Sequence, residues 1–201
     1  MRSNRGTRRR SKARAARAPR RPLTCIPEKF NEIVQNCECH KKWGKRLRLG
    51  SGVNGAVYLA CREKRSEDCD YVVKVQPHNQ QAKAELEAYL SLEKERLTPK
   101  LHAAWSCNGK MYLVLDRVFE CSDLTRSQVK HKLDKLHRLG WLHVDVHKGN
   151  VMCDKKGRLV LIDFGWAVHK DDQPYRRHPT GRKTFEELKR VQLANLDALF
   201  A

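Results

Sequence analysis

Two short polar motifs, separated by a predicted β-hairpin, constrain the fold of this chain more than any other feature. The first runs from His143 to Asn150 (HVDVHKGN) and contains Asp145, and the second begins at Asp163 (DFG). Between them, residues 151–162 form an apolar run, a polar turn with a glycine and a second apolar run, which predicts two short antiparallel strands. Because a hairpin returns the chain to its starting point, we expect Asn150 and Asp163 to lie close together. Their side-chain oxygens are ligands of the kind that Mg²⁺ prefers.

A glycine-rich segment near residue 50 is the second informative pattern. Residues 49–58 (LGSGVNGAVY) have the spacing G-x-G-x-x-G-x-V. Dinucleotide-binding folds use similar glycines, but there a helix follows them. Here the β-prone residues 56–61 follow, so we predict that the glycines connect two strands as a flap whose backbone N–H groups can approach phosphates. The next strand, residues 71–75, carries Lys74 at its centre, and a buried ammonium group requires an anionic partner.

A helix predicted over residues 81–95 offers two candidate partners for Lys74, namely Glu85 and Glu87. Glu85 shares the apolar face of this helix with Tyr89, four residues further on. At about 100° per residue, Glu87 points to a different side of the helix. The periodicity therefore predicts that Lys74 pairs with Glu85.

The remaining segments predict one more hairpin and two more helices. Strands over residues 101–106 and 111–115 are joined by an Asn-Gly dipeptide, which favours a tight turn. Apolar residues at helical spacing predict helices over residues 125–139 and 184–200. We expect the apolar stripe of the last helix to pack into the core.

Taken together, these motifs resemble the signature of the protein-kinase-like superfamily. The resemblance implies an α+β fold with two lobes, an antiparallel N-lobe sheet with one helix and a truncated, mainly helical C-lobe. It implies that Asp145 is the catalytic base and that Lys74 and Glu85 form the catalytic ion pair, while Asn150 and Asp163 hold Mg²⁺. The residues expected to bind ATP, the last two through their backbone, are Leu49, Gly50, Ser51, Gly52, Val53, Asn54, Gly55, Val57, Lys74, Asp116 and Val118.

The same resemblance divides the chain into segments. A tail and an N-terminal extension precede a minimal kinase-like domain with an N-lobe, a hinge and a C-lobe. The predicted segments are, in that order, residues 1–24 and 25–44, then the domain 45–201 with its parts 45–115, 116–119 and 120–201.

Charge and cysteine content set further expectations. Residues 1–24 contain nine Arg and Lys12 without an acidic residue, so they hold ten of the 19 net positive charges. Such a segment is typical of disordered tails, and it is expected to bind nucleic acid through phosphates or to serve as a nuclear-import signal, with a merely solvated tail as the alternative. No apolar run reaches the roughly 20 residues of a membrane span, which predicts a soluble protein without a membrane partner.

The chain has eight cysteines and no signal-peptide pattern, which predicts reduced thiols and a location in the cytoplasm or nucleus. The cell could be a host cell, and a virion is a further possible location. A zinc site built from Cys25, Cys37, Cys39 and His40 is disfavoured because the spacing between the cysteines is unsuitable.

Three departures from the superfamily pattern concern activity. Val144 replaces the arginine of H-R-D, so activity should not depend on phosphorylation of an activation loop. His147 stands where protein kinases have a lysine, as in aminoglycoside and other small-molecule phosphotransferases. The segment after Gly165 lacks A-P-E, as in minimal kinases of the RIO and lipopolysaccharide-kinase type and in compact kinases of large DNA viruses.

These features predict an ATP- and Mg²⁺-dependent phosphotransferase, with a serine/threonine protein kinase favoured. The positive charge of the chain suits an acidic protein substrate. A small-molecule kinase is the first alternative. The second alternative, a pseudokinase or nucleic-acid-binding adaptor, is disfavoured because all five functional side chains are present.

Overall fold

The computed structural model describes residue 25 and the ranges 35–52, 55–61, 69–172 and 183–201. The predicted disordered tail, residues 1–24, lies outside the described residues, and so do Val53 and Asn54 of the predicted flap.

A five-stranded antiparallel sheet forms the N-terminal half, with strand order β1-β2-β3-β5-β4. Its strands are β1 (Gly44–Gly52), β2 (Gly55–Cys61), β3 (Tyr71–Pro77), β4 (Leu101–Cys107) and β5 (Lys110–Asp116). The predicted Asn-Gly turn joins β4 to β5, with positive φ at both Asn108 (50°) and Gly109 (71°), as a two-residue hairpin turn of this type requires.

One helix, α1 (Gln80–Leu92), packs against this sheet. Asn79 caps its N-terminus, where the side chain accepts a hydrogen bond from Ala82 N–H. The predicted helix over residues 81–95 is confirmed, except that its last turn, Glu93–Glu95, is a 3-10 helix. The buried face of α1 consists of Ala82, Glu85, Leu86, Ala88, Tyr89 and Leu92.

The C-terminal half contains two helices and two small sheets. Strands β6 (Trp141–Leu142) and β9 (Val168–His169) form one sheet, and β7 (Val151–Cys153) and β8 (Leu159–Leu161) form the other. The helices are α2 (Arg126–Arg138) and α3 (Phe185–Leu199). Each begins with a capping box, a reciprocal pair of hydrogen bonds between the N-cap threonine and the third helical residue.

One of the three hydrophobic clusters of the described residues joins the two halves. Leu86 and Leu113 from the N-terminal half belong to the same buried cluster as Leu133, Leu161 and Leu196 from the C-terminal half. Leu196 has no exposed surface, so the stripe of α3 packs into the core as predicted. The structure thus has the predicted α+β architecture. Among the helices that it describes, none combines the length and the apolarity that a membrane span requires.

All eight cysteines form disulfides, so the prediction of reduced thiols is wrong. The Cα atoms of bonded pairs lie between 4.3 Å and 5.9 Å apart, below the separation of about 7 Å beyond which two cysteines cannot be bridged. The sheet brings together cysteines as distant in sequence as 70 residues, which spacing along the chain does not reveal. The pairs are Cys25–Cys39, Cys37–Cys107, Cys61–Cys69 and Cys121–Cys153.

Cys121–Cys153 links the connector between β5 and α2, residues 117–125, to strand β7. Phe119 and Cys153 also exchange two backbone hydrogen bonds of 2.8 Å. The connector is therefore bonded both covalently and through its backbone to the hairpin that lies between Asn150 and Asp163.

We expect chemical reduction to destabilise the protein. A disulfide contributes about 2–4 kcal/mol, mainly because it restricts the unfolded chain. Urea unfolding of the oxidised and the reduced, alkylated protein should therefore give a much lower midpoint for the reduced form. The double variant Cys121→Ser/Cys153→Ser isolates the contribution of the connector disulfide, and peptide mapping by mass spectrometry checks the pairing. Equal midpoints for the oxidised and reduced proteins would contradict this expectation.

Candidate active site

Lys74 is the centre of a buried polar network. Its Nζ lies 2.8 Å from both carboxylate oxygens of Glu85 and 2.9 Å from Asp163 Oδ1. These contacts are the predicted pairing of Lys74 with Glu85 rather than with Glu87. Glu85 has no exposed surface. Burial lowers the pKa of Lys74, but the negative charges of Glu85 and Asp163 outweigh that effect and the net pKa is raised, which keeps the ammonium group charged.

The predicted hairpin brings the second motif to this network. Strands β7 and β8 pair antiparallel, and the N–H of Ile162 donates to the carbonyl of Asn150 at 3.0 Å. The two ends of the hairpin thus meet, as the alternation of apolar runs predicts. Asp163, the next residue, has φ 61° and directs its carboxylate at Lys74.

Phe164 fixes the position of the residue before it. Its side chain is fully buried, and its ring makes edge contacts with Tyr89, at 5.7 Å between centroids, and with His143, at 4.6 Å. His143 is also buried, its Nε2 lies 2.8 Å from the carbonyl of Ile162, and burial lowers its pKa. A neutral imidazole that donates to this carbonyl stabilises the end of the hairpin.

Asp145 and Asn150 form the other side of the site. Asn150 Nδ2 donates to the backbone carbonyl of Asp145 at 2.9 Å and to its Oδ2 at 3.3 Å. The side chain of Asp145 is 44% exposed, so its carboxylate is accessible from solvent. Because the amide nitrogen of Asn150 is used by Asp145, its oxygen is the atom that can coordinate a cation.

The residues present fit a magnesium ion that is shared with a ligand. Asn150 Oδ1 and the Asp163 carboxylate are hard oxygen donors of the type that Mg²⁺ takes. Within the described part of the chain, no group of three or more His, Cys, Asp or Glu side chains could hold a metal ion on its own. Mg²⁺ commonly binds through one or two protein oxygens and completes its shell with phosphate and water.

The glycine-rich segment contains the end of β1 and the start of β2. Leu49, Gly50, Ser51 and Gly52 close β1, and Gly55 and Val57 open β2. Val57 is the cross-strand neighbour of Lys74. A Cβ at Gly55 would lie 2.2 Å from the carbonyl oxygen of Val75, so only glycine fits there.

The predicted hinge begins where β5 ends. The N–H of Asp116 donates to the carbonyl of Lys100 at 3.0 Å, so an adenine contact at this residue would use its carbonyl oxygen. Val118 is partly buried and lies one residue before the bridge between Phe119 and Cys153. The backbone contacts to adenine that were expected at Asp116 and Val118 stay predictions.

His147 lies beside Asp145 at the exposed edge of the site. Its Nδ1 accepts the N–H of Gly149 at 3.1 Å, which places the ring proton of the neutral imidazole on Nε2. That nitrogen is 3.7 Å from Asp145 Oδ2. A Cβ at Gly149 would lie 3.1 Å from the ring carbon of His147, so the glycine allows the imidazole to approach.

A polar side chain from α3, which the sequence analysis missed, holds the backbone of the Asp145 loop. Gln192 is fully buried, and its Oε1 accepts the N–H groups of His143 at 2.7 Å and Val144 at 2.9 Å. Val144 is a β-branched residue with φ 66°, a conformation that needs support from its surroundings. Asn195, on the same helix, donates to the Val144 carbonyl at 3.2 Å.

His137 on α2 completes this anchor. Its Nε2 contacts Nε2 of Gln192, and burial lowers the pKa of His137 to about 4. The imidazole is therefore neutral near pH 7 and can accept a hydrogen bond from the Gln192 amide. The signal available in the sequence is one glutamine within an apolar helical stripe, four residues from Leu188 and four from Leu196.

Gln192→Leu is expected to destabilise the protein and to lower turnover. Two buried N–H groups lose their acceptor, at a cost of about 2–5 kcal/mol in total. Since the support for Val144 is removed, Asp145 is positioned less well, and kcat should fall more than the KM values change. Denaturant unfolding and steady-state kinetics measure the two effects.

Arg190→Gln, at an exposed position of the same helix, is the matched control and should stay within about 0.5 kcal/mol of the wild type. A Gln192→Leu protein with unchanged stability and kcat would exclude the anchoring role.

Comparison with known proteins agrees with this geometry. The family model of the ABC1 atypical kinase-like domain matches residues 110–178. Ribosomal protein S6 kinase alpha-6 of Mus musculus is 31% identical over 150 residues, which are 62% of this chain and 19% of that protein. Serine/threonine-protein kinase ppk18 of Schizosaccharomyces pombe is 29% identical over 141 residues, covering 58% of this chain and 10% of that protein. The chain thus spans about a fifth or less of the length of these curated relatives.

A solved structure shows the same fold. The Cydia pomonella granulovirus kinase PK-1 superposes with a TM-score of 0.55 at 20% sequence identity, covering 67% of this chain and 57% of that chain.

Three features together define the class of kinase-like folds. They are an antiparallel sheet with one packed helix, a buried Lys–Glu pair, and an Asp-Phe-Gly turn at the end of a hairpin. The family model and the relatives support placing this chain in the protein-kinase-like superfamily and support a kinase function, and the solved structure supports the fold.

Proposed function

We propose that the chain is an ATP- and Mg²⁺-dependent phosphotransferase that acts as a serine/threonine protein kinase. The observation that carries the proposal is the meeting of Lys74, Glu85 and Asp163, from three separate segments, through contacts of 2.8–2.9 Å. The backbone bond between Asn150 and Ile162 supports it, because this bond joins the Asp145 loop to the residue before Asp163.

The proposed binding mode follows from the charges in the network. Lys74 donates to the phosphates of ATP, and the backbone N–H groups of the flap cover them. Asn150 Oδ1 and the Asp163 carboxylate would hold Mg²⁺, which would supply positive charge against the phosphates. Glu85 keeps Lys74 charged and in place.

Asp145 acts on the acceptor in the proposed reaction. The acceptor hydroxyl oxygen attacks the γ-phosphorus, the bond between that phosphorus and the bridging oxygen of ADP breaks, and the hydroxyl proton goes to the Asp145 carboxylate. The exposed carboxylate is accessible to an acceptor, and its bonds to Asn150 favour one orientation. Most of the rate enhancement in this chemistry comes from positioning and electrostatics.

The choice of a protein acceptor rests on the relatives, which are named as protein kinases. The net charge of +19 favours acidic protein substrates. A small-molecule acceptor is the second candidate, since His147 lies beside Asp145 as in small-molecule phosphotransferases. A pseudokinase or nucleic-acid-binding adaptor is disfavoured because the five functional side chains are present in bonded arrangements.

An acceptor screen tests the proposal. The purified protein is incubated with γ-labelled ATP, Mg²⁺ and separate protein and small-molecule acceptor mixtures. We expect label on serine or threonine in protein bands, including the chain itself. Label only in small molecules would select the second candidate, and no transfer to any acceptor would contradict the phosphotransferase proposal.

Two further proposals concern partners and compartment. The Arg-rich tail, residues 1–24, is proposed to bind nucleic acid by charge, so its binding should weaken steeply with salt. The four disulfides favour an oxidising compartment over the cytoplasm or nucleus that reduced thiols would have indicated.

A further inference from the structure

Gln76 is a buried polar residue that the roles described above do not use. It lies on β3 two residues after Lys74, so the two side chains lie on the same face of the strand. The residue is only 4% exposed, and its Nε2 donates to Glu85 Oε2 at 2.7 Å. The Glu85 carboxylate therefore accepts from a charged donor, Lys74, and from a neutral amide, Gln76, and the buried Tyr89 hydroxyl also bonds to it.

The hydrogen bonds of Lys74 are fully used in this structure. An ammonium group has three N–H donors, and three oxygens lie within hydrogen-bond distance of Nζ, two from Glu85 and one from Asp163. A phosphate that binds Lys74 must therefore replace at least one of these oxygens. Where the phosphate replaces a Glu85 oxygen, the fully buried Glu85 carboxylate loses a hydrogen bond from Lys74. This loss raises the free energy of the site, because a buried charge needs hydrogen-bond donors.

Gln76 offers a donor that does not depend on Lys74. Its amide is neutral, so it stabilises the carboxylate without competing with the phosphates for the charge of Lys74. Its backbone is also enclosed, because β3 lies between β2 and β5 and a Cβ at Gly55 would lie 3.0 Å from both Cα and Cβ of Gln76.

We propose that Gln76 is a positioning residue that holds the Glu85 carboxylate in place while Lys74 transfers part of its hydrogen bonding to the phosphates of a nucleotide. The inference rests on the proposed function, because it concerns nucleotide binding at the same site. A purely structural role would differ in one respect. Gln76 would then stabilise the folded chain, but the affinity for nucleotide would not depend on it.

The test uses Gln76→Met, which keeps the length of the side chain and removes its donor. Without the amide, Glu85 depends more strongly on Lys74, so sharing Lys74 with phosphate costs more. We expect the Kd for Mg-ATP, measured by calorimetry on the full chain, to rise about tenfold. The KM for the acceptor should stay unchanged. Gln76→Glu, which places a second carboxylate beside Glu85, should weaken Mg-ATP binding further.

Gln81→Met serves as the matched control, since Gln81 lies in the first turn of α1 and outside the contacts described here. Its Kd for Mg-ATP should equal that of the wild type. Thermal unfolding of each variant establishes that the protein compared is folded. A folded Gln76→Met protein with the wild-type Kd would overturn the inference and leave Gln76 with a structural role only.

A double-mutant cycle with Glu85→Gln decides whether Gln76 acts through Glu85. In that background the carboxylate is gone, and Gln76→Met should change the Kd by at most about twofold. A full additional tenfold change would overturn the inference. Failure of the wild type to bind Mg-ATP would overturn the inference and the proposed function together. Binding without transfer to any acceptor would contradict the proposed function alone, and the Kd comparison would still decide the role of Gln76.

Discussion

Asp145→Asn is expected to reduce phosphoryl transfer by about a thousandfold while leaving Mg-ATP binding nearly unchanged. The carboxamide has almost the same shape as the carboxylate, so Asn150 Nδ2 can keep its two contacts with this residue. An amide, however, cannot accept the proton of the acceptor hydroxyl, and loss of a general base costs about 10²–10⁴ in rate. The measurement is single-turnover transfer from labelled ATP, with the Kd for Mg-ATP determined in parallel.

The matched control for this change is Asp123→Asn, an exposed aspartate in the connector before α2. It alters the net charge by the same amount without touching the site, and it should transfer phosphate at the wild-type rate. Transfer by Asp145→Asn within a few-fold of the wild type would exclude Asp145 as the catalytic base. It would also direct attention to His147, whose Nε2 is 3.7 Å from Asp145 Oδ2.

Local periodicity accounts for much of what could be predicted from the sequence. The choice of Glu85 over Glu87 follows from the angle of about 100° between successive residues of a helix. The closeness of Asn150 and Asp163 follows from the hairpin between them. Both relations connect residues through one regular element, whose geometry the apolar pattern determines. The same holds for the Asn-Gly turn between β4 and β5.

Contacts between elements that are distant in the chain could not be predicted in this way. Eight cysteines allow roughly a hundred pairings, and the observed ones depend on which strands and loops lie side by side. Gln192 and Gln76 follow the same rule, because each is a polar residue whose partner lies on another element. Gln192 accepts a hydrogen bond from the backbone N–H of Val144, and Gln76 donates one to the carboxylate of Glu85. Neither role can be recognised until the partner is known.

Polar residues at buried positions nevertheless carry a usable signal. An uncharged amide within an apolar stripe is stable only when its hydrogen bonds are satisfied. Gln192 within the stripe of α3, and Gln76 two residues after a buried lysine, both meet this condition. Each one is bonded to a segment that holds a proposed functional residue, so buried glutamines mark the supports of the site.

The paired variants Glu85→Gln and Glu87→Gln should differ strongly in both stability and activity. Glu85→Gln removes the carboxylate whose two oxygens accept hydrogen bonds from Lys74. Removing one partner of a buried ion pair costs about 3–5 kcal/mol of folding free energy. Asp163 is then the remaining carboxylate bonded to Lys74, so the lysine is drawn towards the proposed magnesium ligand and away from the phosphates. We expect kcat/KM for ATP to fall by about a hundredfold or more.

Glu87→Gln makes the same chemical change two residues away, on a partly exposed side of α1. Its effect on the free energy of unfolding should be smaller than that of Glu85→Gln, because Glu87 is only partly buried and does not bond to Lys74, and kcat/KM should remain near that of the wild type. Urea unfolding followed by circular dichroism and steady-state kinetics on both variants measure the contrast. Because both changes remove one negative charge from the same helix, a difference between them isolates the bond to Lys74 from the overall charge of the chain. A larger loss at Glu87 than at Glu85 would mean that the buried pair does not organise the site.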